Sequence, residues 1–297
     1  MYILTLLFYY LIIYPISLLP MRVLYILSDI IFIFIYYIFG YRKSVVSANL
    51  RNSFPEKSES EIEEIMKEFF RHLSDLIVES LKNFTISREE AIQRMEIEGL
   101  DDIQESYNQG RNIILAGGHM NNWELFAIAL PCYISHKAVA IYSPLKNKFF
   151  DNKMKETRGK YGLEMIPMKQ AGILMGKETS IPTATVFAID QSPSNPYKCY
   201  WMQFLHQETA VFLGTERYAK KYDLEVFFGK ITKKKRGYYK TSFKKICSDA
   251  NTFAPDKITE TITLELESNI KSQPAYWLWS HKRWKRKKPA DYEFQGV

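Results

Sequence analysis

The first forty residues carry two formally charged side chains, Arg22 and Asp29, in a background of Leu, Ile, Tyr and Phe. Residues 1–19 and 23–39 form two apolar runs, separated by Pro20 and Arg22. A bilayer-spanning helix needs about 20 residues, so each run is close to the minimum. A removed signal peptide fits poorly, since no basic residue precedes the first run and no small-residue cleavage site follows it. A buried core hairpin is the other solution open to short apolar runs. Residues 1–40 are therefore expected to be a hydrophobic membrane anchor. Arg42, Lys43, Arg51 and Lys57 follow the second run, which predicts that the body of the protein lies in the cytoplasm. Two spans, or one span with the first run interfacial or re-entrant, fit the pattern equally.

The 297 residues are 46% apolar and 15% aromatic, enough to bury a large core, which excludes collagen-like, low-complexity and disordered classes. Cys132, Cys199 and Cys247 form no paired motif. They point to free thiols in a reducing compartment rather than a disulfide framework or a zinc site. The net charge of +7 is clustered. Lys233, Lys234, Lys235 and Arg236 form one run, and basic side chains fill every position from 282 to 288 except Trp284. Beside a membrane anchor, such clusters fit an anionic lipid surface better than nucleic acid.

Behind the anchor, residues 41–94 read as a helical segment packing on a catalytic domain that spans residues 95–297. Ser58 to Phe84 has apolar side chains at three- and four-residue steps, and Ser58 with Glu61, or Ser60 with Glu63, makes a capping-box start. Pro55 stops any helix from running through from the anchor, and a short helix opens at Ser87. From Met95 the pattern alternates. Strands are expected at 96–98, 112–116, 138–142, 164–167 and 183–189, with helices at 101–109, 122–130, 148–161 and 171–176. Such alternation predicts an α/β domain with a mixed, mostly parallel sheet flanked by helices. A hairpin across 233–237 joins strands at 224–231 and 238–244. A last helix covers 258–271, ahead of a basic tail.

In such a sheet, ligands bind at the carboxyl ends of strands. The segment RNIILAGGHMNNWEL is a strand, a glycine pair, His119 and Glu124, then a helix. Gly117 and Gly118 allow a tight turn and close approach of a ligand. Five residues apart on one helix is roughly 140° around the axis, so His119 must precede the helix for Glu124 to reach it. Histidine is suited to general-base work because its pKa lies near neutrality, and a carboxylate on the other ring nitrogen fixes its tautomer. The H-x-x-x-x-E spacing alone favours a helix-capping or core histidine, and the strand–glycine–helix context brings the two readings level.

The stretch HMNNWEL resembles the H-x-x-N-W-E core of the late lipid A acyltransferases, the lauroyl and myristoyl transferases of the lysophospholipid acyltransferase superfamily. YRKSVVSANLRNSFPEKSESE, YSPLKNKFFD, AIDQSP, FLGTERYAKK and YWLWSHKRWK resemble further blocks of that family, in family order from about residue 15 to 288. The resemblance implies a glycerolipid-acyltransferase-like fold and a bitopic enzyme on the cytoplasmic face of a bacterial inner membrane. It implies O-acyl transfer from acyl carrier protein to a lipid A precursor, without metal or other cofactor. His119 would be the general base, with Glu124 orienting it. Asn122 and Trp123 match structural partners in the motif. Asp190 and Gln191 match a site element around sugar or phosphate, and Arg217, His281 and Arg283 match basic positions suited to phosphate. Ser143 departs from the family, which usually has arginine in Y-R-P-L. Lys146 or Arg158 would then substitute for it, or the acceptor differs, or activity is reduced. A glycerophospholipid, lyso-lipid or amino-acid lipid is the alternative acceptor, and a non-catalytic lipid-binding protein is the reading from another class.

Overall fold

Leu19 and Pro20 are extended, and they break the amino-terminal apolar stretch where the sequence predicts. The computed structural model describes residues 2–176 and 179–294. Before the break, α1 (Tyr2–Phe8) and α2 (Tyr14–Leu18) are joined by a widened turn at Tyr9–Ile13. After it, α3 (Met21–Phe32) continues through a second widened turn to Ile38. Met21–Ile38 is long and apolar enough to cross a membrane, and only 22% of it is buried.

The buried face of α3 steps by four: Leu24, Ser28, Phe32 and, beyond it, Tyr36. After α4 (Lys43–Ser53), that face meets α5 (Glu59–Lys82). Met21 and Leu24 pack with Val78 there, and polar bonds flank them. Ser28 donates to Asp75 at 2.7 Å, the Tyr25 hydroxyl donates to Glu79 at 2.9 Å, and Asp29 pairs with Arg236 at 2.6 Å. A carboxylate in hydrocarbon is costly unless paired, and here the pairing is with the body of the protein. Ile26, Ile30, Ile33 and Phe39 are left facing outward.

Of the two capping boxes the sequence offers, the one at Ser58 forms: Glu61 N–H donates to Ser58 Oγ, and Ser58 N–H donates back to the Glu61 carboxylate. Then come α6 (Arg88–Arg94), β1 (Met95–Glu98), α7 (Asp101–Asn108), β2 (Ile113–Gly117), α8 (Trp123–Ala129), β3 (Lys137–Tyr142), α9 (Lys148–Gly159), β4 (Glu164–Pro167), α10 (Ala171–Met175) and β5 (Thr183–Ala188). The remainder is β6 (Tyr200–Phe204), β7 (Gln207–Val211), α11 (Gly214–Tyr222), β8 (Glu225–Lys235), β9 (Tyr238–Cys247) and α12 (Lys257–Ser272). Seven strands form one sheet in the order β1-β9-β8-β2-β5-β3-β4. Every pairing is parallel except the β8–β9 hairpin, so the α/β, mixed and mostly parallel expectation holds.

The sequence reading missed the separate β6–β7 hairpin. Its turn residues, Leu205 and His206, both have positive φ (50° and 59°) without the Asn or Gly that normally signals such a turn. Leu205 is fully buried and its N–H donates to Glu267 at 2.9 Å, so tertiary packing holds the turn. One hydrophobic core includes Phe69 and Phe70 of α5, Ile113 and Phe227 of the sheet, and Trp277 and Trp279 of the carboxyl-terminal segment. That segment is clamped to α4: Asn49 donates to the Trp279 carbonyl at 2.8 Å and Arg42 to the Ser280 carbonyl at 2.9 Å.

Central β2, between β8 and β5, ends at the glycine pair. A methyl on Gly118 would sit 2.5 Å from Leu266 Cδ1 and 3.2 Å from Asp190 Oδ2. The close approach that the glycine admits is thus of α12 and Asp190. The left-handed residue of the turn is Asn121, with φ 51°. Gly118→Ala is expected to lower unfolding free energy by about 1–3 kcal/mol, the range for overpacking. Adding Leu266→Ala should relieve part of this, so that denaturant unfolding gives a pair less destabilised than the sum of the singles. Strict additivity would contradict the clash.

Candidate active site

The parallel register of β2 and β5 pairs Gly117 with Ala188, and Ile189 N–H donates to the Gly117 carbonyl at 2.9 Å. His119 and Asp190, each two residues beyond that pair, are thereby brought together. Asp190 Oδ1 lies 2.6 Å from His119 Nδ1, and Oδ2 accepts from the His119 backbone N–H at 2.7 Å. Oδ2 also accepts from Trp277 Nε1 at 2.8 Å. A carboxylate with three donors stays ionised although it is buried. Burial alone would raise its pKa, but the adjacent imidazole and the hydrogen bonds hold Asp190 below the usual carboxylate range. For His119, burial lowers the pKa and the Asp190 carboxylate raises it, with a net upward shift. With Nδ1–H given to Asp190, the neutral ring keeps its lone pair on Nε2. The ring packs edge-on against Trp123, centroids 5.1 Å apart.

The expected pairing of His119 with Glu124 does not form. Glu124 lies in the first turn of α8, directed at α9, where Arg158 grips it bidentately at 2.8 and 2.5 Å. Trp123 Nε1 adds a third donor at 3.1 Å. Two carboxylates thus flank the imidazole's surroundings: one bonded to it, one neutralised by a guanidinium. The Asp190 contact was not readable from local spacing because it spans 71 residues of chain.

A cavity of about 510 Å³ opens at His119. Trp123, Glu124, Ser143, Arg158 and Gln191 line it together with His119, and its apolar walls include Phe126, Ala127, Ala140, Phe187 and Phe243. Leu145 and Met168, also in its lining, are exposed. His119, Trp123, Glu124, Arg158 and Gln191 therefore converge, with Asp190 behind the histidine.

Other expected site residues lie elsewhere. Asn122 is buried, accepts from Leu125 N–H at 2.8 Å as the cap of α8, and donates to Glu79 at 2.6 Å. Lys146 and Arg217 are exposed and outside the cavity lining. His281 Nε2 accepts from Ser192 N–H at 3.3 Å, and burial lowers its pKa. Arg283, expected to meet phosphate, is buried with its Nη2 on the Ala210 carbonyl at 2.6 Å. Trp277, which sequence reasoning did not single out, completes the Asp190 carboxylate from the carboxyl-terminal segment. The backbone amides of His119, Met120 and Asn121 donate to Asp190, Gly118 and Tyr276.

The family model described as bacterial lipid A biosynthesis acyltransferase matches residues 1–286, and the chain belongs to that family. It is therefore an enzyme that transfers acyl groups, in lipid A biosynthesis. No curated protein matches the chain.

Asp190→Asn preserves the shape of the contact but replaces a charge-assisted acceptor of Nδ1–H. A rate loss of about 10⁴-fold follows by analogy with the corresponding change in a serine–histidine–aspartate triad. With the neutral ring as the expected base, activity should fall as pH drops through the raised His119 pKa. Removing the Asp190 charge lowers that pKa, so the acidic limb of the kcat profile should move to lower pH. A limb that stays in place in Asp190→Asn, or moves only in Glu124→Gln, would reject the assignment.

Proposed function

We propose, from its membership in the bacterial lipid A biosynthesis acyltransferase family, that the chain transfers a fatty acyl group from an acyl carrier protein thioester to a hydroxyl of a lipid A precursor. The observation that carries the mechanism is the Asp190–His119 contact, with His119 lining a largely apolar cavity. Nε2 of His119 takes the hydroxyl proton as the acceptor oxygen attacks the thioester carbonyl carbon. The tetrahedral intermediate collapses with cleavage of the C–S bond, and the imidazolium returns the proton to the departing sulfur. Asp190 steadies the imidazolium between the two steps.

The cavity's size and apolar walls suit an acyl chain. The rim fits lateral delivery from a bilayer. Phe149 of α9 packs on Tyr9 of the amino-terminal segment at 5.3 Å, and Leu145 and Met168 are exposed nearby in the cavity lining. The exposed Lys285, Arg286, Lys287 and Lys288 would then face an anionic membrane surface on the cytoplasmic side. Lys233–Arg236 contributes less to such a surface, since Lys234 pairs with Glu96 and Arg236 with Asp29 and Asp75.

Ser143 bears on the acceptor. It lines the cavity where the family resemblance expects arginine, Arg158 is committed to Glu124, and Lys146 is outside the lining. This favours an acceptor whose acidic group is not gripped at that point, a glycerophospholipid or other lyso-lipid being the second reading. Mass spectrometry of total lipids after gene deletion separates the two: lipid A short of one acyl chain supports the first, and unchanged lipid A refutes it. His119→Ala is expected to lose transfer by several orders of magnitude while the protein still folds and stays with the membrane, and an unaltered rate in purified membranes would sink the base role. Ala127→Phe narrows the cavity wall, so competition between acyl carrier proteins of different chain length should show a preference shifted to shorter donors. An unchanged preference would remove the cavity as the acyl site.

A further inference from the structure

The proposed mechanism makes no use of Glu79, a buried carboxylate on the sheet-facing side of α5. Glu79 joins four elements. Its Oε2 accepts from Asn122 Nδ2 in the catalytic loop at 2.6 Å and from the Tyr239 hydroxyl of β9 at 2.8 Å. Its Oε1 accepts from the Tyr25 hydroxyl of α3 at 2.9 Å. Both ends of the Asn122 amide thus have a partner: its oxygen caps α8 through Leu125 N–H and its nitrogen donates to Glu79. The two residues that follow Asn122 are Trp123, packed on the His119 ring, and Glu124, which holds Arg158. The start of α8 therefore controls two walls of the cavity and one face of the imidazole. Burial pushes the Glu79 carboxyl up to about 7 despite its three donors, which shows how fully it is withdrawn from water.

We infer that Glu79 is a positioning residue for the acyl-transfer site, and that Tyr25 makes the seating of the apolar helix α3 one of the conditions for that positioning. The inference rests on His119 being the base. Without Glu79, the buried Asn122 amide loses its acceptor and is free to turn, at the expense of its cap on Leu125. Without the Tyr25 hydroxyl, Oε1 is left without the donor that α3 brings to it. The helix that carries the exposed apolar band is then a working part of the site, because its polar face completes the group that holds the loop.

The test uses full-length enzyme in phospholipid–detergent micelles, with a fatty acyl carrier protein thioester as donor and a lipid A precursor as acceptor. For Glu79→Ala the expected result is a kcat lower by about 10- to 100-fold, the scale of a misplaced catalytic group, with KM for the donor unchanged. Glu79→Gln should restore most of the rate. Its carbonyl accepts from Asn122 and Tyr239, and its amide donates to a reoriented Tyr25 hydroxyl. Tyr25→Phe should lower kcat in the Glu79 background and do nothing further in Glu79→Ala, and Asn122→Ala should likewise fail to multiply with Glu79→Ala. If Glu79→Ala does not fold, Glu79→Gln and Tyr25→Phe carry the test. Undiminished kcat in Tyr25→Phe, or a Glu79→Gln as slow as Glu79→Ala, would overturn the inference. So would independent, multiplying losses in the double variants. His119→Ala in the same assay separates the two claims. Full activity there removes the base reading itself, whereas an inactive His119→Ala beside a fully active Glu79→Ala removes only the role of Glu79.

Discussion

The hydrogen bond between His119 Nδ1 and Asp190 ties the ends of two central parallel strands, and much of the molecule serves to hold those ends in register. Gly118 has no side chain because α12 and the Asp190 carboxylate occupy the space one would need. Trp277, brought by the carboxyl-terminal segment, supplies the third hydrogen bond to Asp190, and Trp279 two residues on is sunk in the core. The carboxylate can stay ionised in this setting because every donor aimed at it is fixed by a strand end or a buried indole. Preorganisation of that kind is what makes a base useful at the moment of reaction, since nothing has to reorient as charge develops.

The sequence carried the position of His119 and most of the sheet, because both follow from local pattern. A buried strand followed by two glycines and a capped helix is legible from fifteen consecutive residues. The capping box at Ser58 and the strand–helix alternation after Met95 are equally local. The partner of His119 was not legible. Glu124 was the nearest carboxylate in sequence, but it starts a helix and is drawn to Arg158, while Asp190 arrives through the neighbouring strand. Knowing that β5 lies beside β2 would have paired the two residues; nothing in one chain's local spacing gives that order. The β6–β7 hairpin was missed because Leu205 and His206 carry no turn signal. The buried polar side of α5, with Asp75 and Glu79, was missed because a count of apolar residues at helical spacing does not ask which polar residues share their face.

The amino-terminal segment changes meaning between sequence and structure. By composition it is an apolar tether. In the fold, α3 has a polar inner edge held on α5 by Tyr25 and Ser28 and on the β8–β9 turn by Asp29, and an outer face of Ile and Phe. An ion pair at a surface gives little net stability, but its directional bonds help fix how two elements meet. The Asp29–Arg236–Asp75 cluster does this for the helix, setting one orientation of the apolar band relative to the catalytic cavity. An enzyme whose acceptor is a lipid needs that geometry as much as it needs a base.

The account depends on which carboxylate holds the histidine, and ¹⁵N-histidine NMR reads this directly. The chain has five histidines, so single substitution assigns His119 without ambiguity. Above its pKa the neutral ring is predicted to be protonated on Nδ1, with a strongly deshielded proton resonance that disappears in Asp190→Asn and persists in Glu124→Gln. A ring protonated on Nε2, or an Nδ1 proton that survives Asp190→Asn, would contradict the account.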